Sequence, residues 1–224
     1  MKPVKLFAIR HGETELARDR RFAGSRDVAL TPRGRRQGEA LADALAGAVV
    51  GAVYASPLER ARATAAVIAA PHSLEVRVEP AFREMAFGQW EGLSGAEVGV
   101  RWPEAYEAWR ATPHLAAPPG GERLDAVAAR VAAGLAGLLD EHAGGTVVLV
   151  SHAIVTRLIV LAALGLEPDR LWSVDASPAG ITEIEYQDGW VTVHRMNTLT
   201  HLDRIEAEPP EGVAVPARLD EGGR

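Results

Sequence analysis

The chain has 224 residues, 24 basic against 30 acidic side chains for a formal charge of −6, 47% apolar and 5% aromatic content, and no cysteine. This length can bury a real core in one large or two small domains, and the acidic balance removes any global footprint for nucleic acid or an anionic membrane. The missing cysteine excludes disulfides, thiolate nucleophiles and Cys-containing zinc sites, and no apolar run reaches the roughly 18 residues of a membrane span.

Met1 to Lys5 carries no signal-peptide pattern, so a cytoplasmic location is expected. Leu6 to Ile9 is a short apolar run that ends in Arg10-His11-Gly12-Glu13-Thr14, which predicts a strand buried on both faces. Glu15 to Val28 is polar, rich in arginine and without period, and should lie irregularly over the strand ends. Thr31-Pro32 predicts a helix start, with a stripe through Leu41, Ala44 and Leu45 that stops near Gly47. Val49 to Ala55 predicts a second buried strand running into Ser56-Pro57-Leu58-Glu59-Arg60. There Ser56 and Glu59 have capping-box spacing, so Arg60 is expected in the first turn of a helix reaching Ala70.

Val76 to Val78 is a weak third strand, followed by a Gly-punctuated loop from Phe82 to Gly92 that carries Glu84. Residues 96–111 are helical with an interruption at Pro103, and Trp102, Tyr106 and Trp109 form an aromatic stripe read first as packing and second as substrate contact. After a breaker-rich connection, Asp125 to Asp140 predicts a long helix and Thr146 to Val150 a buried strand ending at Ser151-His152-Ala153. A helix from Ile154 to Leu164 should close at Gly165. Ile181 to Tyr186 and Trp190 to His194 alternate around Gln187-Asp188-Gly189 as a hairpin, and 207–224 is expected to be a disordered or loosely held tail.

Strand-then-helix units at 6–9, 49–55 and 146–150 predict an α/β fold with a mostly parallel sheet, whose C-terminal edge gathers Arg10, His11, Arg60 and His152. So many cationic or potentially cationic groups repel one another unless an anion sits among them. A phosphoryl group fits, because arginine offers paired planar donors and the helix N-termini after the second and last strands add N–H groups. The sequence has no Gly-x-Ser-x-Gly elbow, P-loop, cysteine or Asp-rich metal cluster, which leaves a histidine as candidate nucleophile. A neutral imidazole can accept a phosphoryl group, with Arg10, Arg60 and the second histidine stabilising the equatorial oxygens. Glu84 is the candidate proton donor to the leaving alkoxide.

Taken together, Arg10-His11-Gly12-Glu13-Thr14, Leu30 to Gln37, Ser56 to Ala61, Arg83 to Gly92, Gly120-Gly121-Glu122 and Val150-Ser151-His152-Ala153 resemble the histidine phosphatase superfamily, the phosphoglycerate mutase-like proteins. The resemblance covers about residues 4 to 202. It implies a mostly parallel mixed sheet flanked by helices on both faces, as a single domain over 1–206 with a helical insert around 94–121. It further implies that His11 becomes the phosphohistidine, that Arg10, Arg60 and His152 hold the phosphate, and that Glu84 donates a proton and then activates water. Leu16-Ala17 stand where tryptophan or tyrosine and asparagine are frequent, and Ala17 cannot make the polar contact of that asparagine.

The Glu84 loop looks more like that of the phosphatase branches, such as those acting on α-ribazole phosphate, sugar phosphates or glucosylphosphoglycerate, than that of the glycolytic mutase. The mutase's basic cluster is absent, since between Trp90 and Pro119 only Arg101, Arg110 and His114 are basic. The expected activity is therefore metal-independent hydrolysis of a small phosphorylated metabolite, with no cofactor and no nucleic-acid or membrane partner. Mutase-type transfer is the alternative, and a homodimer is allowed.

Two further readings are a non-catalytic anion-binding member of the same fold and a metallohydrolase built on His11, Glu13, Glu84 and His152. The first sits badly with a full set of site residues, and no ligand spacing supports the second. His72, His114, His142, His194 and His201 read as exposed or hydrogen-bonded, Ser151 as a structural or phosphate-rim hydroxyl, and Glu13 as a turn residue or a substrate contact. Glu122 reads as orienting a site arginine or capping the following helix.

Overall fold

A computed structural model describes residues 2–206, so the expected tail over 207–224 lies outside the described residues. In chain order the elements are β1 (Val4–Arg10), α1 (Glu15–Arg18), α2 (Pro32–Leu45), β2 (Ala52–Ala55), α3 (Glu59–Ala69), β3 (Val76–Val78), α4 (Gly95–Arg101) and α5 (Pro103–Ala111). They continue with α6 (Leu124–Glu141), β4 (Thr146–Ser151), α7 (Ala153–Ala163), β5 (Ile181–Gln187), β6 (Trp190–Thr198) and α8 (Asp203–Glu206). The six strands form one sheet in the order β3-β2-β4-β1-β5-β6, in which β1 to β4 run parallel and the β5–β6 hairpin is antiparallel.

Alternation along the central strands divides the core in two. Leu6 and Ala8 of β1 share a face with Val147 and Leu149 of β4, covered by Val127, Val131 and Leu135 of α6 and Val155 and Ile159 of α7. The insert helices pack on this side through Val98 and Trp109. Phe7 and Ile9 share the opposite face with Val148 and Val150, under Leu41 and Leu45 of α2 and Ala61, Ala65 and Ile68 of α3.

Several boundaries differ from the sequence reading. The second strand begins at Ala52 rather than Val49, whose side chain is 91% exposed and has no face to bury. The following helix begins at Glu59, without a capping box: Leu58 is its N-cap and no side chain of that residue caps it. Asp27, from the aperiodic segment, accepts the Glu59 N–H at 2.6 Å and does the capping from outside. That segment is also less irregular than expected, since Thr14 caps the short helix α1 within it.

Where the sheet ends decides where the site lies. Ile9, Val150 and Ala55 are in register across β1, β4 and β2, so Arg10-His11, Ser151-His152 and Ser56 emerge level at one edge. The turn after β1 rests directly on the start of α2. A Cβ on Gly34 would collide with the Glu13 carbonyl, and one on Gly12 with the Gly34 carbonyl. Gly34→Ala is therefore expected to lower stability by about 1–3 kcal/mol in chemical denaturation, whereas Gly47→Ala, which meets nothing within 4 Å, should change it by less than about 0.5 kcal/mol.

Candidate active site

The turn that carries His11 is pinned from every side. His11 N–H donates to the Ser151 carbonyl at 2.9 Å, Gly12 N–H to Thr64 Oγ1 of α3 at 3.1 Å, and Glu13 N–H to Gln37 Oε1 of α2 at 2.7 Å. The Glu13 carboxylate accepts from Thr31 Oγ1 at 2.9 Å, which makes Glu13 a turn residue.

The His11 ring is buried, and its two nitrogens face different partners. Nδ1 lies 2.7 Å from the Gly12 carbonyl, which only accepts, and Nε2 lies 3.1 Å from Arg60 Nε, which only donates. These partners assign the proton to Nδ1 and leave a lone pair on Nε2. His152 is wholly buried with its ring 5.1 Å from that of His11. Its Nε2 lies 2.6 Å from Ser56 Oγ, which already accepts from Leu58 N–H at 3.3 Å. A hydroxyl can serve that Nε2 as donor or as acceptor, and the buried Nδ1 of His152 has no partner among the described residues. Ser56, read from sequence as a helix cap, instead orients a histidine.

Arg60 is fully buried in the first turn of α3. Nη1 donates to the Arg26 carbonyl at 2.7 Å and Nη2 to the Gly24 carbonyl at 2.9 Å, which leaves one N–H on each terminal nitrogen. Arg10 donates from Nη1 to the Ala176 carbonyl at 2.7 Å, and its buried Nε has no partner among the described residues. Glu84 is buried between Met85 N–H, 2.9 Å from Oε1, and Ile154 N–H at the start of α7, 3.4 Å from Oε2. Arg10, His11 and Glu84 line one hollow of about 180 Å³, with Arg60 and His152 packed against His11. All five sequence-nominated residues therefore come together. The N-terminus of α3 does not join them as an open donor, because Asp27 occupies it.

Burial dominates the electrostatics. It holds the His11 pKa well below its usual value, helped by the nearby charges of Arg60 and Arg10, and depresses His152 in the same way with help from Arg60. It also lowers Arg10 to about 10. Glu84 moves the other way: desolvation raises its pKa, against its backbone hydrogen bonds and the arginines, so the carboxylic acid persists above the ordinary carboxylate range.

Further residues hold the site in place, some of them not read from sequence. Arg130 of α6 donates to the carbonyls of Ala81 and Arg83 at 2.7 and 2.6 Å and pairs with Glu122 at 3.2 Å, clamping the backbone beneath Glu84. Glu122 also accepts the Ala86 N–H at 2.8 Å, so it fixes this loop and caps no helix. Ser151 Oγ donates to the Phe82 carbonyl at 2.8 Å and is structural. Arg21, Phe22 and Trp172 line the hollow from segments without periodicity or motif, and Arg157 from the polar side of α7. Trp109 is core, as the packing reading of the aromatic stripe expects, and it also lines the hollow.

Residues 6–199 match the model of the histidine phosphatase superfamily (branch 1). The chain belongs to that superfamily. It is 32% identical to phosphoserine phosphatase 1 of Hydrogenobacter thermophilus over 94% of this chain and all of that one. It is 29% identical to the adenosylcobalamin/alpha-ribazole phosphatase of Escherichia coli over 87% of this chain and 96% of that one. In structure it is similar to Bacillus stearothermophilus YhfR, with a TM-score of 0.84 and 30% identity over 89% of this chain and all of that one. Both of the curated relatives are named as phosphatases. Among the described residues no helix is long and apolar enough to cross a membrane.

The depressed histidines set a pH dependence of stability. Below their usual value of 6.5 the unfolded chain binds protons that the native rings refuse, so stability is full above that value and falls as pH drops through it. The raised Glu84 acts with the opposite sign and is common to all variants. The melting temperature is expected to fall between about pH 7 and about pH 5, and less steeply in His152→Asn than in the parent; equal slopes would place the protonation elsewhere.

Proposed function

We propose that this enzyme hydrolyses phosphomonoesters without a metal, with His11 as nucleophile, Glu84 as acid and then base, and Arg10, Arg60 and His152 as the phosphate cradle. The observation that carries the reading is the orientation of His11, whose Nδ1–H is held by Gly12 while its unprotonated Nε2 faces Arg60. On binding, a phosphoryl oxygen takes over the hydrogen bond from Arg60 Nε and frees the lone pair for in-line attack. The N–P bond forms as the ester P–O bond breaks, and the protonated Glu84 gives its proton to the leaving alkoxide, a contribution of about 10² to 10⁴ in rate. The Glu84 carboxylate next takes a proton from water, whose oxygen attacks phosphorus, and the N–P bond breaks to restore His11.

Charge on the equatorial oxygens meets the remaining N–H groups of Arg60, the unpartnered Nε of Arg10 and the Nδ1–H of His152. In this reading the two rings share one tautomer and present opposite ends: His11 offers a lone pair and His152 a proton. Metal independence is supported by chemistry already complete in these side chains, and among the described residues no group of three or more His, Asp or Glu is disposed to hold a metal ion. The domain is proposed to span 1–206, with a cytoplasmic location and a homodimer as part of the same reading.

Hydrolysis of p-nitrophenyl phosphate should survive excess chelator. His11→Ala is expected to abolish turnover with its circular dichroism intact. Glu84→Gln should lose about 10²-fold or more in kcat with alkyl esters, yet accumulate phosphorylated protein in quenched reactions. Activity retained by His11→Ala would overturn the assignment.

A further inference from the structure

Beyond the phosphate end the hollow is walled by aromatic side chains that touch in series. Ring centroids of Phe22 and Phe87 lie 4.9 Å apart, those of Phe87 and Trp109 5.6 Å, and those of Trp109 and Trp172 5.5 Å, the last two pairs edge to face. Ala17 stands on the same wall with only a methyl group to offer. A second hollow of about 420 Å³ shares Phe22, Trp109 and Trp172 with the first, so the aromatic surface continues outward.

The two arginines that flank this wall each hold a carboxylate from outside the hollow. Arg21 pairs with Glu97 at 2.7 Å, and Arg157 pairs with Asp175 at 3.2 Å while lying over the Trp172 ring at 5.2 Å. Among the described residues that line the hollow, Glu84 is the one carboxylate. A leaving group bearing an ammonium would find no acid besides the proton donor, and one bearing a carboxylate would compete with Glu97 or Asp175. An unpaired charge there is costly, whereas a flat ring gains the aromatic faces.

We infer that the substrate is the phosphomonoester of an uncharged alcohol carrying a flat apolar ring, and that Trp172 and Trp109 select it. This rests on the phosphatase reading above. Trp172 is 44% exposed, so it can be replaced without opening the core, whereas Trp109 cannot.

The test compares kcat/KM of the full chain for 2-phenylethyl phosphate, O-phosphoserine and 3-phosphoglycerate. All three are primary alkyl esters, so intrinsic leaving-group reactivity does not favour the aromatic one. The phenylethyl ester is expected to lead by roughly tenfold or more, a range that apolar pockets achieve. Trp172→Ala should erase most of that lead through KM, and Trp172→Phe should keep it. Equal or faster turnover of either charged ester, or an unchanged lead in Trp172→Ala, would overturn the inference and leave the phosphatase reading standing. No hydrolysis of any of the three would overturn that reading, and the inference with it.

Discussion

The hydrogen bond from His11 Nδ1–H to the carbonyl of Gly12, its own neighbour in the chain, is the constraint on which the site depends. It spans one residue, so its geometry is set by the turn after β1, and that turn is held by backbone and side chains of β4, α2 and α3. The two close glycine contacts between this turn and α2 explain why the helix start and the nucleophile's loop are found together. A rigid sheet edge therefore fixes which imidazole nitrogen is free. This matters because preorganised groups cost no reorganisation during the reaction.

Around that lone pair the chain accepts an electrostatic cost. Two arginines, two histidines and a carboxylic acid are withdrawn from water. Burial pushes the histidines toward neutrality and Glu84 toward its acid form. These are the protonation states that phosphoryl transfer to an imidazole with a proton donor requires. The unpartnered Nε of Arg10 and Nδ1 of His152 are polar groups that an interior rarely tolerates, and in the mechanism we propose a bound phosphoryl group satisfies both. Arg130 and Glu122 supply the mechanical counterpart on the other side, tying the Glu84 loop to α6 as Gly12 ties His11 to its strand.

The parallel strands and four of the five central residues were legible in the sequence because Arg10, His11, Arg60 and His152 follow buried apolar runs whose ends the sheet's register carries to one edge, while Glu84 stood out as a carboxylate in a Gly-punctuated loop. Other features were hidden for particular reasons. The Ser56-x-x-Glu59 spacing satisfies a capping rule, but His152, almost a hundred residues later, competes for the serine hydroxyl and wins. Asp27 caps α3, and Arg21 and Phe22 wall the site, from a stretch whose lack of period conceals its contacts. Val49 extends an apolar run but lies outside the sheet, and nothing local distinguishes it from Val53. Trp172 and Arg157 reach the hollow from different elements and form their stack only in three dimensions.

The claim at the centre is a tautomer, and it is directly visible. Nitrogen-resolved NMR of ¹⁵N-histidine-labelled protein at neutral pH should show His11 and His152 both protonated at Nδ1 and unprotonated at Nε2. Assignment would use His11→Asn and His152→Asn samples. A proton on Nε2 of His11 would leave no nucleophile facing Arg60 and would contradict the account.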